Sequence, residues 1–127
     1  MNVLADTHVL VWAAGDPDRL TPDARDLLAD PHADVWFSVI SIWELVIKAG
    51  QRHGFGVDGD DLRWGLLQRG FQELAVTAPH VLEVGRLPRL HRDPFDRLLV
   101  AQARVEDLTI MTADRAMAAY PVATIPA

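Results

Sequence analysis

The strongest constraint on the fold is an alternation. Short apolar runs, each four to six residues long, are separated by stretches with helical signals. "NVLA" at residues 2–5 is a continuous apolar run ending at Asp6 and predicts a buried strand. "THVLVWAAG" follows as a short helix stopped by Gly15. "TPDARDLLAD" begins another, with Thr21 as N-cap and Pro22 at the first helical position. "DVWFSV" is rich in β-branched and aromatic residues and predicts a second strand. "SVISIWELVIKAGQRHG" predicts a helix capped by Ser38 or Ser41 and ending near Gly50 or Gly54. "GFGVDGDD", residues 54–61, is the most loop-like segment. A short helix "DLRWGLLQRG", a strand "FQELAV" and a helix "APHVLEVGRL" come next. "DPFDRLLVAQARVED" is the longest helix, with Asp93 as cap and Pro94 in the first turn. "LTIMT", "DRAMAAY" and "VATI" complete the series as strand, helix and strand. Strands that alternate with helices imply βαβ crossovers. The expected fold is therefore a three-layer α/β/α domain with a mostly parallel sheet of four to five strands, spanning residues 1–127 as one domain.

Composition narrows the chemistry. Half the residues are apolar, enough for a core without metal or disulfide staples. There is no cysteine, which fits a reducing cytoplasm and excludes thiol catalysis and zinc–thiolate sites. No apolar run approaches the roughly 18 residues of a membrane span, and the first residues enter a strand pattern without a basic leader. The expectation is a soluble cytoplasmic protein with no membrane partner. A net charge of −6 disfavours a general nucleic-acid coat protein, which binds phosphate through Lys and Arg. It leaves room for an acidic metal site with a basic rim. Lys48 is the only lysine, and Arg86, Arg89, Arg92 and Arg97 fall within twelve residues together with His91.

In open parallel sheets, ligands bind beyond the carboxyl ends of the strands, where strand order reverses. Asp6 follows the first strand, Asp114 follows "LTIMT", and Glu44 lies early in the helix after "DVWFS". These three belong to one rim. Asp96, one turn into its helix, can reach the same place. Each acid also has a structural explanation. Glu44 completes a capping box with Ser41. Asp93 and Asp96 suit a cap and a first turn, Asp114 can cap the last helix, and Asp6 or Thr7 can cap the first. Four carboxylates brought within a few Å would stay partly protonated or require a cation. Oxygen-only ligands favour Mg²⁺ or Mn²⁺, which suits phosphodiester hydrolysis: the ion polarises the phosphoryl oxygen and lowers the pKa of an attacking water. "GFGVDG" has neither the Walker nor the dinucleotide spacing.

The segments "LADTHVLVW", "SVISIWELVIK", "HRDPFDRLLVAQA" and "MTADRAM", in this order and over nearly the whole chain, resemble the PIN domain, and within it the VapC-type toxin ribonucleases of toxin–antitoxin pairs. The resemblance implies a Mg²⁺- or Mn²⁺-dependent endoribonuclease whose catalytic, metal-holding acids are Asp6, Glu44, Asp96 and Asp114. Asp93 is left as a cap or secondary acid. Thr112 matches a hydroxyl often found beside the metal. Thr7, Arg92, Arg97 and Arg115 are further candidates for contact with RNA. The same resemblance implies a homodimer and a small VapB-like antitoxin. Of the four tryptophans, Trp36 is expected in the core, whereas Trp12, Trp43 and Trp64 could grip an antitoxin helix. Three other readings remain: an idle PIN-like binding module, a PIN nuclease of RNA processing, and a phosphoryl-receiving domain. The last needs paired acids after the first strand and a lysine near the end, which this chain lacks. An aspartate-nucleophile phosphatase would need Asp-x-Asp where "ADTHV" stands.

Overall fold

The computed structural model describes residues 1–52 and 54–127. Five strands form one sheet: β1 (Asn2–Ala5), β2 (Asp34–Ser38), β3 (Gln72–Leu74), β4 (Thr109–Thr112) and β5 (Thr124–Pro126). Their spatial order is β3-β2-β1-β4-β5, and all four pairings are parallel. Helices α1 (Thr7–Gly15) and α2 (Pro22–Ala29), with a 3₁₀ turn at Pro17–Arg19 between them, connect β1 to β2. Helices α3 (Val39–Lys48) and α4 (Gly59–Gln68) connect β2 to β3, α5 (Ala78–Val84) and α6 (Pro94–Glu106) connect β3 to β4, and α7 (Arg115–Ala118) leads to β5. Both the alternation and the parallel sheet therefore agree with the sequence reading.

Side chains of successive strand residues point to opposite faces, and the two cores follow that period. Val3, Ala5, Val35, Phe37 and Met111 face one side, where Val9, Leu10, Ala24, Leu28, Leu62 and Leu66 from α1, α2 and α4 cover them. Leu4, Ile110 and the half-buried Trp36 face the other, under Leu99, Val100 and Ala103 of α6. Burying both faces explains why the strands read as unbroken apolar runs. Each fully buried Leu, Ile or Phe stabilises the fold by about 1.5–3 kcal/mol.

Helix α3 is shorter than its sequence pattern. Its N-cap is Ser38, whose hydroxyl accepts from Ile40 N–H, while Ser41 lies inside the helix. It stops at Lys48 because Gly50 takes a left-handed φ of 76°. Gly54 then brings the chain back so closely that a Cβ there would meet the Lys48 carbonyl oxygen at 2.5 Å. His53, within the expected helical span, lies outside the described residues.

Strand order decides where a site can form. The chain goes from β1 outward to β2 and β3, then returns to place β4 on the other side of β1. The reversal lies between β1 and β4, so Asp6 and Asp114, just past those two strands, flank the crevice that such a switch point opens.

Candidate metal centre

Asp6 is the N-cap of α1. Its Oδ1 accepts from Val9 N–H at 3.0 Å, and its own N–H donates to the Met111 carbonyl at 3.1 Å, which fastens it to β4. The residue is 5% exposed. Burial pushes its carboxyl above the ordinary range, partly offset by the Thr112 hydroxyl and Val9 N–H. Asp114 caps α7 in the same way: Oδ1 accepts from Ala116 N–H at 2.8 Å, and its N–H donates to Thr112 Oγ1 at 3.0 Å. Thr112 thus accepts from Asp114 and keeps its proton for either the Asp6 carboxylate or Met117 Sδ, 3.7 Å away; the charged oxygen is the stronger acceptor. Asp6 and Asp114 line one open cleft of about 320 Å³ with His8, Trp12 and Arg19.

Asp93 caps α6, its Oδ1 accepting from Phe95 and Asp96 N–H at 2.9 and 3.4 Å. One turn in, Asp96 feels the charges of Asp93, Glu44 and Asp6. Burial above all, then the Asp93 and Glu44 carboxylates, raises its carboxyl to about 7. Glu44 enters from α3 and is buried. Its Oε2 accepts from Lys48 Nζ at 2.6 Å, while its Oε1 is buried with no hydrogen-bond partner. Glu44 therefore does not close a capping box with Ser41.

The alternatives left open by the sequence, cap or site, turn out to be compatible. A carboxylate has two oxygens. Asp6, Asp93 and Asp114 each give Oδ1 to a helix N-terminus and leave Oδ2 uncommitted to backbone. Those oxygens, the carboxyl of Asp96 and the orphaned Oε1 of Glu44 make an oxygen-rich set. Burial and neighbouring carboxylates disfavour the charged forms of Asp6 and Asp96 when they stand alone, and Glu44 Oε1 is buried without a partner. The residues fit a hard divalent ion.

The candidates for substrate contact divide differently. Thr7 is 3% exposed and donates its hydroxyl to Ser41 Oγ at 2.9 Å, tying α1 to α3. Its hydroxyl proton is thus committed to a structural bond between two helices rather than to a substrate. Arg97 does not face a phosphate either. Its guanidinium donates to the carbonyls of Pro88 and Val84 and to Tyr120 Oη at 2.9, 3.1 and 3.2 Å. Arg92 and Arg115 are exposed, and Arg115 lines a shallow cleft with Thr112 and Asp114. Two residues absent from the expected site stand in it. Lys48 packs its ammonium 5.5 Å from the ring centres of both Phe55 and Phe95. His91 Nε2 lies 3.3 Å from Asp96 Oδ2 and 3.5 Å from Asp114 Oδ2. The i, i+4 spacing of Glu44 and Lys48 could have revealed the first. Nothing local signals the second.

The family profile of the PIN domain matches residues 3–123. The chain belongs to the PIN domain family. Solved structures share this PIN fold along their whole length. The chain is similar to VapBC2 from Rickettsia felis bound to a promoter DNA fragment, with 19% identity, TM-score 0.74, and coverage of 99% of this chain and 98% of that one. DNA-bound VapBC from Salmonella typhimurium matches at 15% identity and TM-score 0.69, with coverage of 99% and 98%. FitAcB from Neisseria gonorrhoeae matches at 20% and 0.62, with coverage of 97% and 96%. No curated protein matches the chain in sequence. Among the described residues, no helix of this PIN domain is long and apolar enough to cross a membrane.

Proposed function

We propose that this PIN domain is a Mg²⁺- or Mn²⁺-dependent endoribonuclease and the toxin of a toxin–antitoxin pair. The observation that supports the reading is a chain of neighbours from four elements: Asp6 and Asp114 line one cleft, Asp96 and Asp114 each bring a carboxylate oxygen within 4.8 Å of the other, and the charges of Glu44 and Asp6 act on Asp96. Each acid keeps at least one oxygen free of backbone, and Glu44 Oε1 is buried without any partner. Asp6, Asp96, Asp114 and Glu44 would hold the ion, Glu44 through Oε1. When bound, the ion would supply a water of lowered pKa and a positive charge beside the phosphoryl oxygen. The chain's own residues do the rest. The helix caps at Asp6 and Asp114 fix the carboxylates before the ion arrives. The Thr112 hydroxyl oxygen accepts from the Asp114 N–H, and the same hydroxyl favours the charged form of Asp6. Lys48 offsets one negative charge of the pocket. Arg92 and Arg115 stand exposed where an RNA backbone can meet them, and Arg19, stacked over Trp12, adds a cation to the cleft that holds Asp6 and Asp114.

A protein partner is supported by apolar surface that a monomer rarely leaves bare. On α3, Trp43, Val46 and Ile47 are 48%, 60% and 50% exposed; on the neighbouring α4, Trp64 is 67% exposed. Trp12, in contrast, is half-buried against His8 and under Arg19, beside the acids. The similar folds include VapBC structures and a toxin–antitoxin complex from Klebsiella pneumoniae, so a small VapB-like antitoxin on the α3–α4 surface and a homodimer belong to the proposal, in a cytoplasmic setting.

The test is cleavage of total RNA by the purified chain with Mg²⁺ or Mn²⁺. It should stop with EDTA and fall by at least about 100-fold in Asp6→Asn and Asp96→Asn, in line with loss of a metal ligand. Asn at position 6 retains the capping oxygen, and the Asp96 side chain caps no helix, so both variants should fold. Undiminished cleavage by both would overturn the assignment.

A further inference from the structure

His91 lies in the segment between α5 and α6, outside the four acids assigned to the ion. Its Nε2, Asp96 Oδ2 and Asp114 Oδ2 all lie within 4.8 Å of one another, a spacing that could suit a metal with one imidazole and two carboxylate ligands. The other ring nitrogen argues against that role. Nδ1 accepts a hydrogen bond from Asp93 N–H at 3.0 Å, so its lone pair is engaged and the ring proton sits on Nε2. To ligate an ion, Nε2 would have to give that proton to Nδ1, and two N–H groups would then point at each other. The Asp93 N–H cannot easily turn away. Asp93 is the N-cap of α6, with Phe95 and Asp96 N–H both on its Oδ1. Tyr120 Oη reaches the His91 carbonyl at 3.5 Å, and the side chain is 22% exposed, so the ring is confined on several sides.

We propose that His91 is a positioning residue: its Nε2–H is shared between Asp96 and Asp114, holds these two carboxylates together across the pocket, and is not a ligand of the ion they bind. The inference rests on the metal-dependent reading above. Asp96 comes from α6 and Asp114 from just past β4, and the His91 ring stands between them, 3.3 and 3.5 Å from the two carboxyl groups. A donor between them organises the pocket in advance, as a hydrogen-bonding neighbour does for many ligating carboxylates.

Manganese binding tests this without any RNA. In His91→Gln the amide nitrogen can take the place of Nε2 and donate. In His91→Asn the side-chain oxygen can take the place of Nδ1, leaving no donor at the carboxylates. By EPR titration of Mn²⁺, the Gln variant should bind within about threefold of the parent, whereas Asn and Ala variants should bind about 10-fold or more weakly. Pulsed EPR of the Mn²⁺-loaded parent chain should show no directly coordinated histidine nitrogen, and ¹⁵N NMR of the metal-free parent should place the His91 proton on Nε2. These two measurements need no variant to fold. A coordinated nitrogen, a proton on Nδ1, or unchanged affinity in all three variants would overturn the proposal. A parent chain that binds no Mn²⁺ would remove the metal reading and this one with it. One that binds Mn²⁺ as described yet leaves RNA intact would remove only the nuclease reading.

Discussion

The Lys48 ammonium donates to Glu44 Oε2 at 2.6 Å, with the glutamate side chain 4% exposed and the lysine 28%. Burial alone would lower the lysine pKa, but the Glu44 bond and the charges of Glu44, Asp93 and Asp96 outweigh it and raise it, so the group is cationic at neutral pH. Removing one partner strands the other. Lys48→Met should destabilise the metal-free protein by about 1–3 kcal/mol, below the 3–5 of a fully buried pair because the lysine is partly exposed. The double variant Glu44→Gln/Lys48→Met should recover most of that loss. Chemical denaturation in EDTA checks both. A double variant no more stable than the single one would contradict the pairing.

Stability of the metal-free chain should fall as pH rises from 4 to 7. Folded Asp96 keeps its proton to about 7, whereas the unfolded chain releases it near the ordinary aspartate value of 3.8. Between these values the folded state binds more protons, so raising pH favours unfolding, and the penalty is complete above pH 7. The upper limit is about 4.5 kcal/mol, from about 1.4 kcal/mol per pH unit over the shift from 3.8 to about 7, and solvent access will reduce it. Buried Asp6, also raised, acts in the same direction. Denaturation midpoints at pH 5 and pH 8 in EDTA should show the fall. Asp96→Asn should flatten it, and Mg²⁺ at pH 8 should restore stability by binding only the folded state.

Gln102, fully buried on α6, accepts from Ser38 Oγ at 2.5 Å and donates to the Ala75 carbonyl at 3.3 Å. It joins the cap of α3 to the helix that carries Asp96. Gln102→Leu leaves both neighbours unsatisfied and should cost about 2–3 kcal/mol. Thermal denaturation measures it; a loss below about 0.5 kcal/mol would show the link to be dispensable.

The arginines should separate by role. Arg92→Ala and Arg115→Ala, at exposed side chains without an ion pair among the described residues, should raise KM for RNA severalfold and leave the melting temperature unchanged. Arg97→Ala removes three hydrogen bonds to the 84–88 segment and Tyr120. It should lower the melting temperature by several degrees, with KM little altered. Steady-state kinetics beside calorimetry would expose the reverse pattern.

Much of this molecule is written locally. Val3, Leu4 and Ala5 in one segment and Ile110 and Met111 in the other are consecutive apolar residues, buried on whichever side they face, as in strands covered twice. Thr21-Pro22 and Asp93-Pro94 start helices wherever they are placed, because a cap acts within its own turn. The acids are legible as residues at strand and helix ends for the same reason. What the linear pattern could not decide is direction and company. Thr7 and Arg97 look like candidate ligands in the sequence. They are turned inward by partners 34 and up to 23 residues away. Whether Asp114 is a cap or a ligand is undecidable in one dimension, because its two oxygens answer to different neighbours: Oδ1 to its own helix, Oδ2 to a cleft that exists only once β4 lies beside β1. Hydrogen bonds within a turn follow from sequence spacing. Contacts between carboxylates on separate elements follow from strand order, which is set by how both faces of the sheet are buried.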